Sequence, residues 1–391
     1  MEGSIREENA HSIQVTGDEE FDEYDASHMV TIEEGREYKY LGVRIQLLGP
    51  MFTPHGSSMV KKAKALSGQL WDLAKHYPNR SEAMKILWNT VGLPSILYGA
   101  ELVSWLQDDI KEIEMIQKRV ARQIAQASQA TAIGAILGEV GFSDFQASVI
   151  ERRLNYFGRL ARLQVKDPDR WCVHVAMEVL QQVVDGKPST EWAQSLIDIA
   201  NSCEINLGDA ETLHKDGWNK MVREQLKKVT NEEWVDSLQG KSTLRFYRGY
   251  KEEPSWEKYL NGSSKAKLIF EARTGTLKVQ AYHYHWGPDK STRCPLCDAA
   301  REDIEHFLLH CPHFEPKRIT LLEDLEGEGQ WFDEGVSDIE KVKCLLGLGN
   351  WVAYDLSKIG QYLEECWEYR SRYLSSKQTQ SSDDQNTQSH V

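Results

Sequence analysis

The sequence predicts a mainly α-helical protein with a small antiparallel β element at the N-terminus and a small module built around cysteine and histidine. Three observations predict this fold class. Apolar and polar residues alternate before residue 48, helical periodicity dominates after it, and three of the seven cysteines lie between residues 294 and 311. A chain of 391 residues, 40% of them hydrophobic and 27% charged, can bury a sizeable core or divide into two or three domains.

The amino-terminal region divides into an acidic part and a strand-like part. Residues 1–28 hold nine acidic side chains against Arg6 alone, and we expect this region to be partly disordered. Val30 and Ile32, then Tyr38 and Tyr40, alternate with polar residues, and Glu34-Gly35 supplies a turn between the two runs. Residues 29–47 are therefore predicted to form a small β-hairpin.

Residues 48–165 carry a helical period. One predicted helix ends at Pro78, and another runs from Ser81 towards Pro94. Two longer helices follow, each with apolar residues at helical spacing. Their predicted buried stripes are Ile110, Ile113, Ile116, Val120 and Ile124 in the first, and Ile150, Leu154, Phe157 and Ala161 in the second.

Basic residues lie opposite both stripes, at about 100° per residue. Lys111, Lys118 and Arg122 have this position on the first of the two helices, and Arg152 and Arg159 have it on the second. This pattern is typical both of a solvated helix face and of a surface that contacts phosphate. Its repetition on two consecutive helices makes the two interpretations about equally favoured.

The net charge of −14 argues against a nucleic-acid partner, but its distribution weakens that objection. Residues 48–165 hold 14 Lys and Arg against 10 Asp and Glu, and residues 258–301 hold eight basic against three acidic side chains. The second region supplies further candidates for phosphate contact: Lys265, Lys267, Arg273, Lys290 and Arg293.

The remaining segments are predicted from composition and period. Residues 166–285 are expected to form a helical connector anchored by tryptophans, and residues 316–374 to form carboxyl-terminal helices. Residues 375–391 are polar, lack apolar anchors and are predicted to be disordered.

The cysteine cluster predicts a metal site. Cys294 and Cys297 are followed by His306 and Cys311, a ligand set that tetrahedral zinc prefers, and four protein ligands make a structural site. His310 is one helical turn from His306, so the residues alone leave the fourth ligand open between Cys311 and His310. Residues 286–315 are thus predicted to be a zinc-knuckle module, with Ile304, Phe307 and Leu308 as its core. A redox pair is disfavoured because no strand precedes the first cysteine.

The chain has no run of about 18 apolar residues and no signal-like start. We therefore expect an intracellular protein of the nucleus or cytoplasm, with reduced thiols and no membrane partner.

Several segments together resemble a known family. Tyr38-Lys-Tyr-Leu-Gly-Val looks like the end of the palm in reverse transcriptases of non-LTR (LINE-type) retrotransposons. Leu93-Pro-Ser-Ile-Leu-Tyr-Gly-Ala-Glu101 and Arg152-Arg-Leu-Asn-Tyr-Phe-Gly-Arg-Leu160 resemble the thumb helices and the segment after them. The Cys294 to Pro312 stretch resembles the carboxyl-terminal zinc-binding domain, and the family pattern favours Cys311 as the fourth ligand.

The resemblance implies a binding fragment without catalysis. The catalytic Tyr-x-Asp-Asp hairpin of the family precedes the Tyr-Leu-Gly segment, and none precedes Tyr38. Leu106-Gln-Asp-Asp109 lies after it, where acidic residues suit the first turn of a helix. We expect no enzymatic activity, structural Zn²⁺, and RNA or DNA partners such as retroelement RNA or an RNA–DNA hybrid. The alternative is a host-retained or degenerate remnant that acts as a protein-interaction scaffold.

Overall fold

A computed structural model describes residues 37–46, 51–282, 291–326, 335–348 and 356–388. Within these ranges the chain is mostly helical and has a two-stranded antiparallel sheet near the amino terminus, which confirms the predicted fold class. No single helix in the described ranges is long and apolar enough to cross a membrane. The helices Ile133–Val140 and Phe145–Lys166, which are bent relative to each other, reach that length and apolar composition only when they are taken together.

The strands and helices are numbered in chain order. The strands are β1 (Tyr38–Tyr40) and β2 (Val43–Ile45). The helices are α1 (Thr53–Ala74), α2 (Arg80–Leu87), α3 (Leu93–Ile96), α4 (Gln107–Ala125), α5 (Ile133–Val140), α6 (Phe145–Lys166), α7 (Trp171–Val184), α8 (Glu191–Ser202), α9 (Asp209–Thr212), α10 (Lys215–Leu238), α11 (Ser264–Arg273), α12 (Glu315–Glu326), α13 (Asp338–Leu345) and α14 (Leu356–Gln388).

The hairpin of β1 and β2 turns at Leu41-Gly42. Both turn residues have positive φ angles, 44° and 89°, which is the combination of a type I′ turn. Tyr38 pairs with Ile45 and Tyr40 with Val43, so these four side chains share one face of the hairpin. The predicted strand residues Val30 and Ile32 lie outside the described part of the chain.

His55 fixes the hairpin to the helices that follow it. Its Nδ1 accepts a hydrogen bond from the backbone N–H of Arg44 (3.3 Å), and its Nε2 lies 2.9 Å from the carbonyl oxygen of Tyr98. Burial lowers the pKa of His55, which favours the neutral ring. In the tautomer that satisfies both contacts, Nε2 carries the hydrogen and donates a hydrogen bond to the carbonyl oxygen of Tyr98.

The chain divides into two compact units. Unit 1 comprises residues 1–69, 88–116 and 144–228. Its hydrophobic cluster is centred on the buried Trp218 of α10, which packs against α6. The indole Nε1 of Trp218 donates to the carbonyl oxygen of Leu154 (3.0 Å), and a Cβ at Gly158 would lie 2.4 Å from the same nitrogen. Gly158 therefore allows the indole to reach the backbone of α6.

Unit 2 comprises residues 70–87, 117–143 and 229–391. Its hydrophobic cluster contains side chains from α5, α10, α11, α13 and α14, together with the cysteine-rich segment. One stripe of α14 is buried in this cluster, with Ile359, Tyr362, Leu363 and Cys366 at most 4% exposed. Helical periodicity in the sequence thus reflects burial directly.

A buried network of charges lies within unit 2. Arg273, which is fully buried, contacts Glu139 (3.2 Å) and Glu257 (3.4 Å). Lys251 lies 2.8 Å from Glu257, and the hydroxyl of Tyr259 donates to Glu139. Two carboxylates thus face two cations in a largely buried site, so each charge has an opposite charge beside it.

One predicted boundary differs from the structure. The carboxyl-terminal helix was expected to end near residue 374, whereas α14 ends at Gln388. Neither proline nor glycine occurs between residues 361 and 391, so nothing in the sequence forces the helix to stop at the last apolar residue. The predicted acidic region of residues 1–28 lies outside the described residues.

Gly158→Ala is expected to destabilise unit 1 by about 1–3 kcal/mol, because the new methyl group displaces the buried indole of Trp218. Gly68→Ala is the matched control, since no atom lies within 4 Å of a Cβ at that helical position. The control is expected to stabilise the protein by about 0.4–1 kcal/mol. Equilibrium urea denaturation of both variants measures the difference, and equal effects would contradict the packing described for Gly158.

Candidate metal centre

The first two ligands lie on a tight turn of the cysteine-rich segment. The backbone N–H of Cys294 donates to Ala299 (2.9 Å), and that of Asp298 donates back to the carbonyl oxygen of Cys294 (2.9 Å). Asp298 has a φ of 60°, a left-handed conformation that closes the turn. The turn brings the side chains of Cys294 and Cys297 to the same site.

Of the other two candidate ligands, His306 is the first residue of a single π-helical turn, His306–His310, and Cys311 directly follows this turn. Asp303 begins it, because its carboxylate accepts a hydrogen bond from the N–H of His306 (3.0 Å). At the other end the N–H of Cys311 donates to the carbonyl oxygen of His306 (2.8 Å). Cys311 itself is extended (φ −64°, ψ 118°), the conformation that Pro312 imposes on the preceding residue.

The four side chains form a cluster that can hold a metal ion. One sulfur or nitrogen atom from each of Cys294, Cys297, His306 and Cys311 lies within 4.8 Å of the others. Cys297 Sγ is 3.4 Å from His306 Nε2. For comparison, ligands in a tetrahedral zinc site, about 2.0–2.3 Å from the ion, are roughly 3.3–3.8 Å apart. The cluster is therefore close to the closed geometry of a structural site.

The pKa values of the three thiols shift in different directions: that of Cys294 is lowered, and those of Cys297 and Cys311 are raised. A hydrogen bond with the Cys311 thiol lowers the pKa of Cys294, and the same hydrogen bond raises the pKa of Cys311. Cys294 is thus favoured as a thiolate, which is the form that coordinates metal ions. Both sulfurs are buried, at 2% and 0% exposure, so an ion between them is shielded from solvent.

His310 is directed to a different partner. Its Nε2 lies 3.2 Å from a carboxylate oxygen of Asp338, at the start of α13, and the residue is exposed. Cys311, and not His310, completes the cluster with the first three ligands. Of the two alternatives for the fourth ligand, the geometry favours Cys311.

The module does not have a hydrophobic core of its own. Ile304, Phe307 and Leu308 are buried in the large hydrophobic cluster of unit 2, where the ring of Phe307 lies 6.1 Å from that of Trp367 in α14. The expectation of a separate small core is therefore wrong. The cysteine-rich segment is too short to cover these side chains, so α14 supplies the opposing surface.

Polar contacts attach the module to the helices of unit 2. Arg318 of α12 donates to the carbonyl oxygens of Leu308 (3.2 Å) and Cys311 (3.1 Å). Arg370 of α14 makes two hydrogen bonds of 2.7 Å to the two carboxylate oxygens of Glu302. Both side chains of this pair are at most 5% exposed. The backbone that carries the last two ligands is thereby held from two sides.

Sequence reasoning missed these supporting residues. Glu302 and Arg370 are separated by 68 positions, and no local pattern relates them. Glu302 lies between Arg301 and Asp303 in a charged stretch, so its position in the sequence gave no signal of burial.

Two of the basic residues proposed to contact phosphate are engaged inside the protein. Arg273 is fully buried in the charge network of unit 2, so the prediction that it contacts phosphate is wrong. Its position on α11 faces the core, which net charge in the sequence does not reveal. Arg122 is half-buried, and its guanidinium donates to the carbonyl oxygens of Ser128 (2.6 Å) and Thr131 (3.1 Å).

The other predicted contacts differ in their exposure. Lys111 is 69% exposed, Lys267 is 48% exposed and Lys265 is 42% exposed at the side chain. Arg293 is 62% exposed, Arg159 is exposed, and Lys118 and Arg152 are half-buried. Lys290 lies outside the described residues.

No family model matches the chain, and neither a curated protein nor a solved structure matches it.

The purified protein is expected to contain one zinc ion per chain. Cys311→Ser is expected to weaken zinc binding roughly tenfold or more, because a thiolate ligand is lost. His310→Ala is the matched control and should retain the ion. Metal analysis and competition with a chromogenic chelator measure both variants. Loss of zinc from His310→Ala with retention by Cys311→Ser would assign the fourth ligand to His310.

Glu302→Ala is expected to reduce the free energy of unfolding by about 3–5 kcal/mol, because the guanidinium of Arg370 remains buried without its counter-ion. Glu368→Ala is the matched control on the same helix. That variant removes the exposed pair Glu368–Arg372 (3.0 Å), and a change within about 0.5 kcal/mol is expected. Urea denaturation compares the two, and a similar small effect for both would show that the buried pair is dispensable.

Proposed function

We propose that the chain is a fragment derived from a non-LTR retrotransposon reverse transcriptase that binds RNA or DNA and has no polymerase activity of its own. In this proposal zinc is structural and holds the cysteine-rich module in shape. The observation that carries it is the Cys294–Cys297–His306–Cys311 cluster, which the fold brings together and whose spacing in the sequence resembles that of the family's zinc-binding domain. The cluster follows a hairpin and a series of helices in the order that the resemblance implies.

Exposed basic side chains are the candidates for phosphate contact. Lys111 extends from α4 in unit 1, and Arg293 directly precedes the first metal ligand in unit 2. Each lies near an exposed carboxylate, Asp108 at 3.9 Å and Asp298 at 3.6 Å respectively. Exposed ion pairs contribute little free energy, so a phosphate group can replace these carboxylates at small cost.

The metal-binding turn supports a role for Arg293. Its guanidinium donates to the carbonyl oxygen of Asp298 (3.3 Å), within the loop that carries Cys294 and Cys297. Metal coordination would fix this loop and thereby the position of the arginine. The proposed function of the ion is therefore to order a phosphate contact without taking part in a reaction.

Binding should be strongest at low salt, because phosphate neutralisation releases counterions. Fluorescence anisotropy with structured RNA and with duplex DNA, each at several salt concentrations, tests this. Lys111→Gln and Arg293→Gln are expected to reduce the slope of log K against log[salt] by about 0.9 each on duplex DNA. Lys220→Gln, which removes an exposed lysine beside Glu224, is the matched control and should leave the slope unchanged. Absence of binding at low salt would refute the proposal.

A protein-interaction scaffold is the second candidate function. It is favoured by large apolar side chains that remain exposed in unit 1, among them Leu41 (75%) and Trp171 (76%). The net charge of −14 also disfavours nucleic acid as the general partner. The same anisotropy experiment distinguishes the two, since a scaffold would show no dependence on Lys111 or Arg293.

A further inference from the structure

An apolar cavity of about 790 Å³ lies within unit 1. The hairpin, the segment after α3, and the helices α6, α7 and α8 all contribute to its lining. Aliphatic side chains such as Ile45, Leu160 and Val179 form part of its wall. On the hairpin side Tyr40 and Leu41 are 70% and 75% exposed, so the cavity opens to solvent. Its volume and its apolar lining are typical of sites that bind small molecules.

The charged side chains of this lining are all acidic. Glu101 and Glu191 border the cavity, and none of the described residues that line it is lysine, arginine or histidine. Glu191 is exposed in the first turn of α8, where the helix dipole already favours a negative charge. Glu101 is partly buried, so solvent screens its charge less. The charge at the cavity therefore favours a cationic ligand.

The carboxylate of Glu101 has no counter-ion within the described part of the chain. Its Oε2 is shielded from solvent, and none of the described residues donates a hydrogen bond to it. Arg153 of α6 is engaged elsewhere, because it donates to the carbonyl oxygen of Trp192 (3.1 Å) and to the hydroxyl of Ser195 (2.6 Å). A shielded carboxylate oxygen without a partner is costly, so a cation in the cavity would stabilise it. Because Oε2 is covered, this attraction acts through charge across a short distance and needs no hydrogen bond.

Two aromatic rings form a corner beside this carboxylate. Tyr156 of α6 and Trp192 of α8 both line the cavity, with ring centroids 6.5 Å apart and planes at 77° to each other. The indole Nε1 of Trp192 donates to the backbone carbonyl oxygen of Glu101 (2.9 Å), which holds the ring next to this residue. Edge-to-face pairs are common in closed cores, but both of these rings border a cavity. Aromatic rings beside a negative charge are the arrangement that recognises quaternary ammonium groups.

We propose that this cavity binds an organic cation that consists of a quaternary ammonium group and an apolar chain. The ammonium group lies at the corner of Tyr156 and Trp192, near Glu101, and the chain lies along the aliphatic wall. A quaternary ammonium group has no N–H to donate, so it suits a carboxylate oxygen that is covered. Its charge is stabilised by Glu101 and by the faces of the two rings.

Calorimetric titration of the full chain with decyltrimethylammonium, below the concentration at which it forms micelles, tests the proposal. The cation is expected to bind at a single site per chain, whereas decyl sulfate, with the same chain and the opposite charge, is expected not to bind. Glu101→Gln should weaken binding of the cation roughly tenfold or more, because the attraction to the carboxylate is lost. Glu178→Gln on α7 is the matched control: Glu178 is exposed, does not line the cavity, and carries the same charge.

Tyr156→Leu separates the aromatic contribution from the apolar one. Loss of the ring face should weaken binding of the cation about threefold or more, whereas Tyr156→Phe keeps the ring and should retain the affinity. Thermal melting followed by circular dichroism shows whether each variant is folded. The two Tyr156 variants keep the test decisive if Glu101→Gln does not fold.

Three results would overturn the proposal. Equal binding of decyl sulfate would show that the cavity selects only an apolar chain. An equal loss of affinity in Glu178→Gln would assign the effect to the net charge of the protein. Absence of binding by either amphiphile would show that the cavity has another occupant, such as a segment outside the described residues or a second copy of the chain. None of these readouts depends on nucleic-acid binding, so they are independent of the proposed function.

Discussion

The bidentate contact between Arg370 and Glu302 is the interaction on which the position of the metal module depends. The carboxylate of Glu302 also accepts a hydrogen bond from the N–H of Gln280 (2.8 Å), while its backbone joins Thr292 (2.7 Å) and Ala281 (2.9 Å). Glu302 thus connects the backbone at residues 280–281 and at Thr292 to α14. Both charges are removed from water, and each is the charged partner of the other, so the geometry of the pair is strongly specified.

This arrangement changes how much the order of the cysteine-rich segment depends on a metal ion. A knuckle that exists alone gains its order from the ion, since it has too few apolar residues to fold without it. Here Phe307 and Leu308 are buried among helices, and Arg318 and Tyr362 hold the carbonyl oxygen of Leu308. Ordinary core packing thus surrounds the backbone that carries His306 and Cys311. A bound ion would link this backbone to the turn that carries Cys294 and Cys297.

The sequence was informative where structure is determined locally. Helix stripes such as Ile113 and Val120 of α4 were predictable because burial follows the 3.6-residue period. The clustering of Cys294, Cys297, His306 and Cys311 was predictable because metal-binding sequences place these residue types at this spacing. The burial of Arg273 was not predictable, because the charge of a residue indicates neither how deeply the side chain is buried nor which residues it contacts. The same holds for Glu302 and Arg370, whose contact depends on how distant segments pack. The extent of α14 was underestimated because helix propensity alone marks no stop.

The charge network around Arg273 has a consequence for how this sequence can change. Glu139 and Glu257 share two cations, Arg273 and Lys251, so replacement of any one residue leaves an uncompensated charge in a dry environment. Single substitutions are therefore disfavoured, while concerted replacement of a cation and a carboxylate is tolerable. Related chains should retain the four residues as a set or lose them in pairs. Substitutions at these four positions are thus interdependent. The four residues taken together would therefore indicate common ancestry better than any one of them.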